Sequence, residues 1–190
     1  MNETLSEIKD AIQREDYESA IRLLRPIADA GQSEAQFLFG YLFFTGADVT
    51  KDDSRVWLQR AASQDHPAAI YYLACLGDTL DFGPPEDDSR RALLVRAAEL
   101  GSAMAQRDLG CFYATGDEGF PKDETLGRLW YSRAAAQGHA DAQYNYGSML
   151  LYGEGGPADP KTGKDLIRLA ASKDNPCAVG FMQNNPDEIA

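Results

Sequence analysis

The sequence predicts an all-α fold, a solenoid of helix pairs, on three observations of internal repetition. Short related segments begin at Gly31, Asp65, Gly101, Gly138 and Asp174 and close on Ala35, Ala69, Ala105, Ala142 and Ala178, at spacings of 34, 36, 37 and 36 residues. Five residues past each of the first four alanines stands a small residue: Gly40, Ala74, Gly110 or Gly147. Eight residues before each next segment comes Trp57, Leu93, Trp130 or Leu166, followed four residues later by an alanine pair at 61–62, 97–98, 134–135 or 170–171.

Residues 1–30 read as an N-terminal capping helix pair over 3–14 and 17–30, with Ile8, Ala11 and Ile12 and then Ala20, Leu23, Leu24 and Ile27 as buried stripes. Pro26 is expected to kink the second helix or to replace a spacer there. Four repeats follow at 31–64, 65–100, 101–137 and 138–173, and 174–190 is a partial repeat with a tail, so about five helix pairs precede a terminal helix. In the first helix of a repeat, Ala35, Leu38, Phe39 and Leu42 define one apolar face. A glycine at 40, 110 or 147 costs about 1 kcal/mol of helix propensity, and close approach of the second helix is the expected return, with the alanine pair serving it from the other side. Gly46, Gly116 and Gly153 suit left-handed positions ending the first helix. Thr50, Glu86, Asp123 and Asp159 suit N-caps of the second helices, Thr50 with Asp53 forming a capping box. Gly31, Gly101 and Gly138 close second helices, and Pro67 and Pro176 suit first turns.

The segments Ala142-Gln-Tyr-Asn-Tyr-Gly147, Gly153-Glu-Gly, Asp159, Leu166 and Ala170-Ala171 resemble a Sel1-like repeat, as do Ala105, Leu109-Gly110, Gly116, Asp123, Trp130, Ala134-Ala135 and Gly138. The resemblance covers about 31–183. The second repeat departs from it at Gly77, at Arg90 and in the irregular loop 78–85. The resemblance implies a right-handed superhelical α/α solenoid related to tetratricopeptide repeats, its first helices lining a concave surface. It also implies adaptor roles in assembly, signalling, secretion and host interaction, mostly in bacteria, with no catalytic motif to carry over.

Composition narrows the partners. Eighteen basic against 30 acidic residues give a net charge of −12, which repels phosphate and argues against nucleic acid. No run of apolar residues is long enough to span a membrane. The acidic start, without a basic segment followed by an apolar stretch, is what is expected of a chain that stays in the cytoplasm. Three cysteines at wide spacing fit reduced thiols; Cys75 and Cys111 share a repeat column and are expected too far apart to pair.

His66 and His139 occupy one turn column and are read as capping residues rather than metal ligands. Acidic pairs in the inter-helix stretches lack the alternation of a calcium loop and sit where helix dipoles favour negative charge. The stretches 46–53, 78–88, 116–124 and 153–160 hold 14 acidic residues against Lys51 and Lys122, an edge suited to a basic partner. No nucleophile–base pair, phosphate loop or cofactor motif is present, so neither an enzyme nor a cofactor is expected. With first helices stacked as the resemblance implies, the concave positions are Glu34, Phe37, Tyr41, Phe44, Tyr71, Arg107, Asp141, Tyr144, Ser148 and Tyr152, joined by Cys75 and Cys111. This set is rich in residue types that anchor interfaces. Tyr41, Tyr71, Tyr144 and Tyr152 are expected at least partly exposed, whereas Phe37 and Phe44 serve equally well packed between helices.

The leading expectation is an adaptor that takes a protein or peptide on this face. Its alternative is an immunity protein neutralising one cognate toxin, and self-association through Val179, Phe181 and Met182 of the terminal helix is a further expectation.

Overall fold

The computed structural model describes residues 2–76 and 87–186, which form eleven α-helices and no strand. The chain divides into two compact units, Met1–Leu100 and Gly101–Ala190. The expected irregular loop 78–85, with Gly77 and the cap Glu86, lies outside the described residues.

The first unit holds α1 (Asn2–Gln13), α2 (Tyr17–Asp29), α3 (Ser33–Tyr41), α4 (Lys51–Ala62), α5 (Pro67–Leu76) and α6 (Asp87–Glu99). A 3-10 turn at Leu42–Thr45 prolongs α3, and Pro26 stands inside α2, which runs on to Asp29. The second unit holds α7 (Ala103–Thr115), α8 (Glu124–Ala136), α9 (Ala140–Tyr152), α10 (Pro160–Ala171) and α11 (Pro176–Asn184). Inside each unit a helix packs chiefly on its chain neighbours, and first helices also meet the next first helix, α3 with α5 and α7 with α9. The pairs α1–α2, α3–α4, α5–α6, α7–α8 and α9–α10, with α11 alone, are the five pairs and terminal helix that the repeats predict.

Caps set the element ends. Asp123 accepts from the Leu126 amide at 2.9 Å, and Asp159 accepts from the Thr162 amide at 3.2 Å. Thr50 Oγ1 accepts from the Asp53 amide at 3.1 Å and donates to the Asp53 carboxylate at 2.7 Å, so the hydroxyl bonds the acid that a full capping box would aim at the Thr50 amide. Gly46, Gly116 and Gly153 end first helices at φ of 86°, 84° and 75°.

The glycine column works as expected, but not against the alanine pairs. A Cβ on Gly147 would lie 2.8 Å from the Gly163 carbonyl oxygen, and one on Gly163 would lie 2.6 Å from that of Gly147. Gly110 faces the Tyr131 ring, and Gly127 faces the Gly110 carbonyl. In the first unit Ser54 takes the place of the second glycine and donates to Gly40 O at 2.6 Å. The partners of the first-helix glycines thus come from the start and middle of the second helix, one to two turns before the alanines. Those alanines lie in the core instead, with Ala171 half-buried at its edge.

A buried glutamine column, missed in the sequence, ties successive pairs together. Gln36 Nε2 donates to Ala28 O at 3.1 Å, while Gln64 Nε2 donates to Gln36 Oε1 at 2.8 Å and to Gly31 O at 3.0 Å. In the second unit Gln143 donates to Ala135 O at 3.3 Å, and Gln137 donates to Gln106 at 2.8 Å. Lys173 fills the position equivalent to Gln64 and donates to Gly138 O at 2.6 Å, leaving Gln143 Oε1 buried without a hydrogen-bond partner. Burying these carboxamides is tolerable because their hydrogen bonds are almost all made.

Two glycine substitutions should therefore have opposite signs. Gly163→Ala forces a methyl against backbone and should lower stability by about 1–3 kcal/mol despite its better helix propensity. Gly180→Ala, within α11 and with open space around its Cβ position, should raise stability by about 0.5–1 kcal/mol. Urea denaturation of both variants checks this; stabilisation by Gly163→Ala would refute the close approach.

Candidate partner-binding surface

In the first unit the exposed edge of α3 and α5 gathers rings. Phe37 lies 5.7 Å from Tyr41 and 5.9 Å from Tyr72 between centroids, and Tyr72 meets Tyr41 edge-on at 5.1 Å and Phe44 at 4.7 Å. Such offset and edge contacts are the arrangements that ring quadrupoles favour. His66 stacks on Phe37 at 4.8 Å and extends the platform to the turn before α5. Phe44 keeps 37% of its surface exposed; Phe37, Tyr41 and Tyr72 are half-buried. Burial, with the neighbouring Tyr41 adding to it, pushes the Tyr72 phenol far above its usual range, so it stays protonated.

One expectation is corrected here. Tyr71 is buried, at 9% exposure, and meets Tyr72 edge-on at 5.3 Å, while Tyr72 is the half-buried residue that joins Phe37, Tyr41 and Phe44. The physical difference is in the helix pair. The second repeat carries Ala74 where its neighbours have glycine, and Arg90 where they have Ser54, Gly127 or Gly163. Ala69 and Ala74 stay buried, and the third residue after the column alanine, half-buried here as it is at Asp108 and Asn145, is the tyrosine that reaches the rings. Clear signals for Tyr72 were this irregularity and its aromatic character.

Glu34 flanks the rings and holds two partners, an imidazole and an ammonium. Its carboxylate pairs with His66 Nε2 at 2.9 Å and with Lys9 Nζ of α1 at 2.7 Å. His66 Nδ1 accepts from the Ala69 amide at 3.3 Å, so the ring caps α5 with one nitrogen and donates to Glu34 with the other. The capping role expected of His66 is thus present, with a carboxylate partner added. The His66 hydrogen bond, helped by Lys9 and opposed by burial, pulls the Glu34 carboxyl from its ordinary 4.5 down to about 2.

The second unit repeats this link with different chemistry. Asp141 of α9 accepts from Asn175 Nδ2 at 2.6 Å, and Asn175 Oδ1 caps α11 at the Ala178 amide at 2.9 Å. His139 stands where His66 does, but Met104 occupies the Glu34 position. Its Nδ1 is buried without a hydrogen-bond partner, and burial lowers its pKa. The remaining expected residues line this unit's first-helix face. Arg107 pairs with Asp108 at 2.8 Å, Tyr144 is half-buried and meets Phe181 at 6.4 Å, Ser148 is half-buried and Tyr152 is 53% exposed. Cys111 is half-buried beside Tyr131 and Cys75 half-buried on α5. Val179, Phe181 and Met182 of the terminal helix are half-buried, the last two packing on the Ile167–Ala170–Ala178 cluster.

Glu34 makes stability depend on pH with a definite sign. A carboxyl depressed in the folded state stabilises fully above its unfolded value near 4.5, and that contribution fades as pH falls towards about 2. Glu34→Gln should be less stable than wild type at pH 7 by on the order of 1 kcal/mol, given partial solvent screening, and the gap should close below pH 3. Denaturation midpoints across pH measure this; a gap constant down to pH 2 would contradict it.

Comparison with known proteins follows the same repeats. The Sel1 repeat family matches residues 10–32, 33–66, 103–139 and 140–175, well over half of the chain. Chitin synthase regulatory factor 3 of Schizosaccharomyces pombe is 37% identical over 94 residues, which is 48% of this chain but only 10% of that protein. The crystal structure of a Sel1 repeat protein from Oxalobacter formigenes superposes with a TM-score of 0.74 at 29% identity, covering 88% of this chain and 49% of that one. The immunity protein PA5088 from Pseudomonas aeruginosa has a TM-score of 0.62 at 22% identity, over 91% of this chain and 68% of that one, a likeness of fold alone. The chain therefore spans half or less of the first two, and with its helix pairs and repeat matches it belongs to the Sel1 repeat family, an α/α solenoid.

Proposed function

We propose that this chain is an adaptor that binds another protein through the outward faces of its first helices, with the ring cluster of α3 and α5 as the main anchor. Sel1 repeat proteins mediate protein–protein interaction, and their fold is one of recognition rather than catalysis. The observation that carries the reading is the grouping of Phe37, Tyr41, Phe44 and Tyr72, ordered by mutual contact yet still reachable by a partner. Rings fixed in this way lose little entropy on binding, which is how aromatic hot spots gain their weight. The net charge of −12 supports a basic partner. Three cysteines, none in a disulfide, support a reducing compartment such as the cytoplasm.

Neutralisation of one cognate toxin is the second reading, supported by the acidic charge and by the fold shared with PA5088. Quantitative affinity purification separates the two: an immunity protein retains one partner very tightly, an adaptor several more weakly. For either role, Tyr41→Ala with Tyr72→Ala should weaken specific partners by at least about tenfold while leaving the helical circular dichroism intact. Undiminished binding of every partner by the folded double variant would sink the aromatic anchor.

A further inference from the structure

The first and second helices of the first unit differ in charge. Neither α3 nor α5 carries a lysine or arginine, whereas α2 and α4 carry Arg22, Arg25, Lys51, Arg55 and Arg60. The carboxylates of α2 and α4 stand mostly in first turns, at Glu18, Asp52 and Asp53, where the helix dipole favours them, with Asp29 at the far end of α2. A chain of net charge −12 thus keeps a local group of cations on one set of helices.

Two of these arginines are held in place by rings. The Arg25 guanidinium lies over the Phe39 ring at 4.8 Å, and that of Arg60 lies over Trp57 at 4.5 Å. Phe39 and Trp57 touch each other, with centroids 4.9 Å apart, and both are buried, while the two arginines above them are exposed. A guanidinium resting by its flat face on a ring keeps its in-plane N–H donors turned to solvent. It has also given up part of its side-chain freedom before any ligand arrives. The same geometry recurs in the second unit, where Arg133 lies over Trp130 at 4.5 Å.

Neither guanidinium is engaged by a neighbouring acid. Arg55 reaches Asp52 at 3.4 Å, and Arg96, in the place on α6 that Arg60 has on α4, reaches Asp65 at 2.5 Å. Gly31 fills the Asp65 column in the preceding repeat, so Arg60 has no such partner. Among the described residues no carboxylate, Glu18 and Asp29 included, lies within ion-pair distance of Arg25 or Arg60.

We propose that Arg25 and Arg60 receive an acidic segment of a partner protein, each guanidinium taking one Asp or Glu carboxylate through a pair of in-plane N–H donors. Charge complementarity selects this occupant: two separate forks suit two carboxylates on short flexible stems. A nucleic-acid strand would instead bring a run of phosphates against a chain of net charge −12. The site uses none of the rings of the α3–α5 cluster and does not rest on their role.

The test uses the full chain and acetyl-Gly-Glu-Gly-Glu-Gly-Glu-Gly-amide, titrated by proton–nitrogen NMR at low ionic strength beside its all-glutamine analogue. The glutamate peptide should shift the Nε–H signals of Arg25 and Arg60 and the Trp57 indole, and it should bind at least about tenfold more tightly than the glutamine peptide. Arg25→Gln and Arg60→Gln should each weaken it about tenfold, the loss of one charge-assisted pair of hydrogen bonds. Arg60→Lys keeps the charge and loses the planar fork, and it should weaken binding several-fold, which serves as the reading if Arg60→Gln lowers the thermal midpoint. Arg55→Gln takes the same charge from α4 and should leave the affinity within about twofold. Unmoved Arg25 and Arg60 signals, equal binding of the two peptides, or an Arg55→Gln loss as large as that of Arg60→Gln would overturn the site. Tyr41→Ala with Tyr72→Ala should leave the glutamate peptide bound as in wild type; if that variant abolishes binding, the rings hold the peptide and this inference fails while the proposed function stands.

Discussion

Backbone approach between the two helices of a pair is the constraint from which the rest follows. Where Gly147 meets Gly163, neither position has room for a methyl group, since each Cβ would fall within 2.8 Å of the opposite carbonyl. Contact this close fixes the roll of the first helix as well as its distance. Once the roll is set, Leu109 and Leu150 must point into the core and Arg107, Tyr144 and Ser148 away from it. The helix propensity lost at each glycine is returned as dispersion contact along the pair and as a defined outward face. Ser54 achieves the same with a hydroxyl, satisfying the Gly40 carbonyl that the approach exposes.

Much of this architecture is legible in the sequence because a repeat samples one physical problem several times. Glycine at 40, 110 and 147, and left-handed glycine at 46, 116 and 153, each have a single cheap solution, so the columns reveal helix ends and contact points directly. The opposing partner was harder to read. The alanine pairs are more conspicuous than the lone Ser54, Gly127 and Gly163, yet those three make the contact. Buried glutamines are harder still, since Gln36 and Gln143 look like surface residues until their hydrogen bonds to the end of the preceding helix are seen.

The placement of the first-helix side chains was legible where the column rule holds and misread where it breaks. Phe37, Tyr41 and Phe44 fall together with Glu34 beside them, whereas Tyr71 is buried and Tyr72 half-buried in the repeat that carries Ala74 for the glycine and Arg90 for the second small residue. The turn chemistry shows the same sensitivity. His66 finds Glu34 across the turn, Asn175 finds Asp141, and His139 faces a position held by Met104 and is left with an unpaired ring nitrogen. A single residue at that position decides whether the turn carries a charged link or a buried cost.

The roll of the first helices is open to direct measurement by hydroxyl-radical footprinting with residue-resolved mass spectrometry. The account predicts fast oxidation at Tyr152 and Phe44, intermediate rates at Tyr41, Tyr72 and Tyr144, and protection of Tyr71 and Tyr131. Oxidation of Tyr71 at the rate of Tyr72, in folded protein, would contradict it.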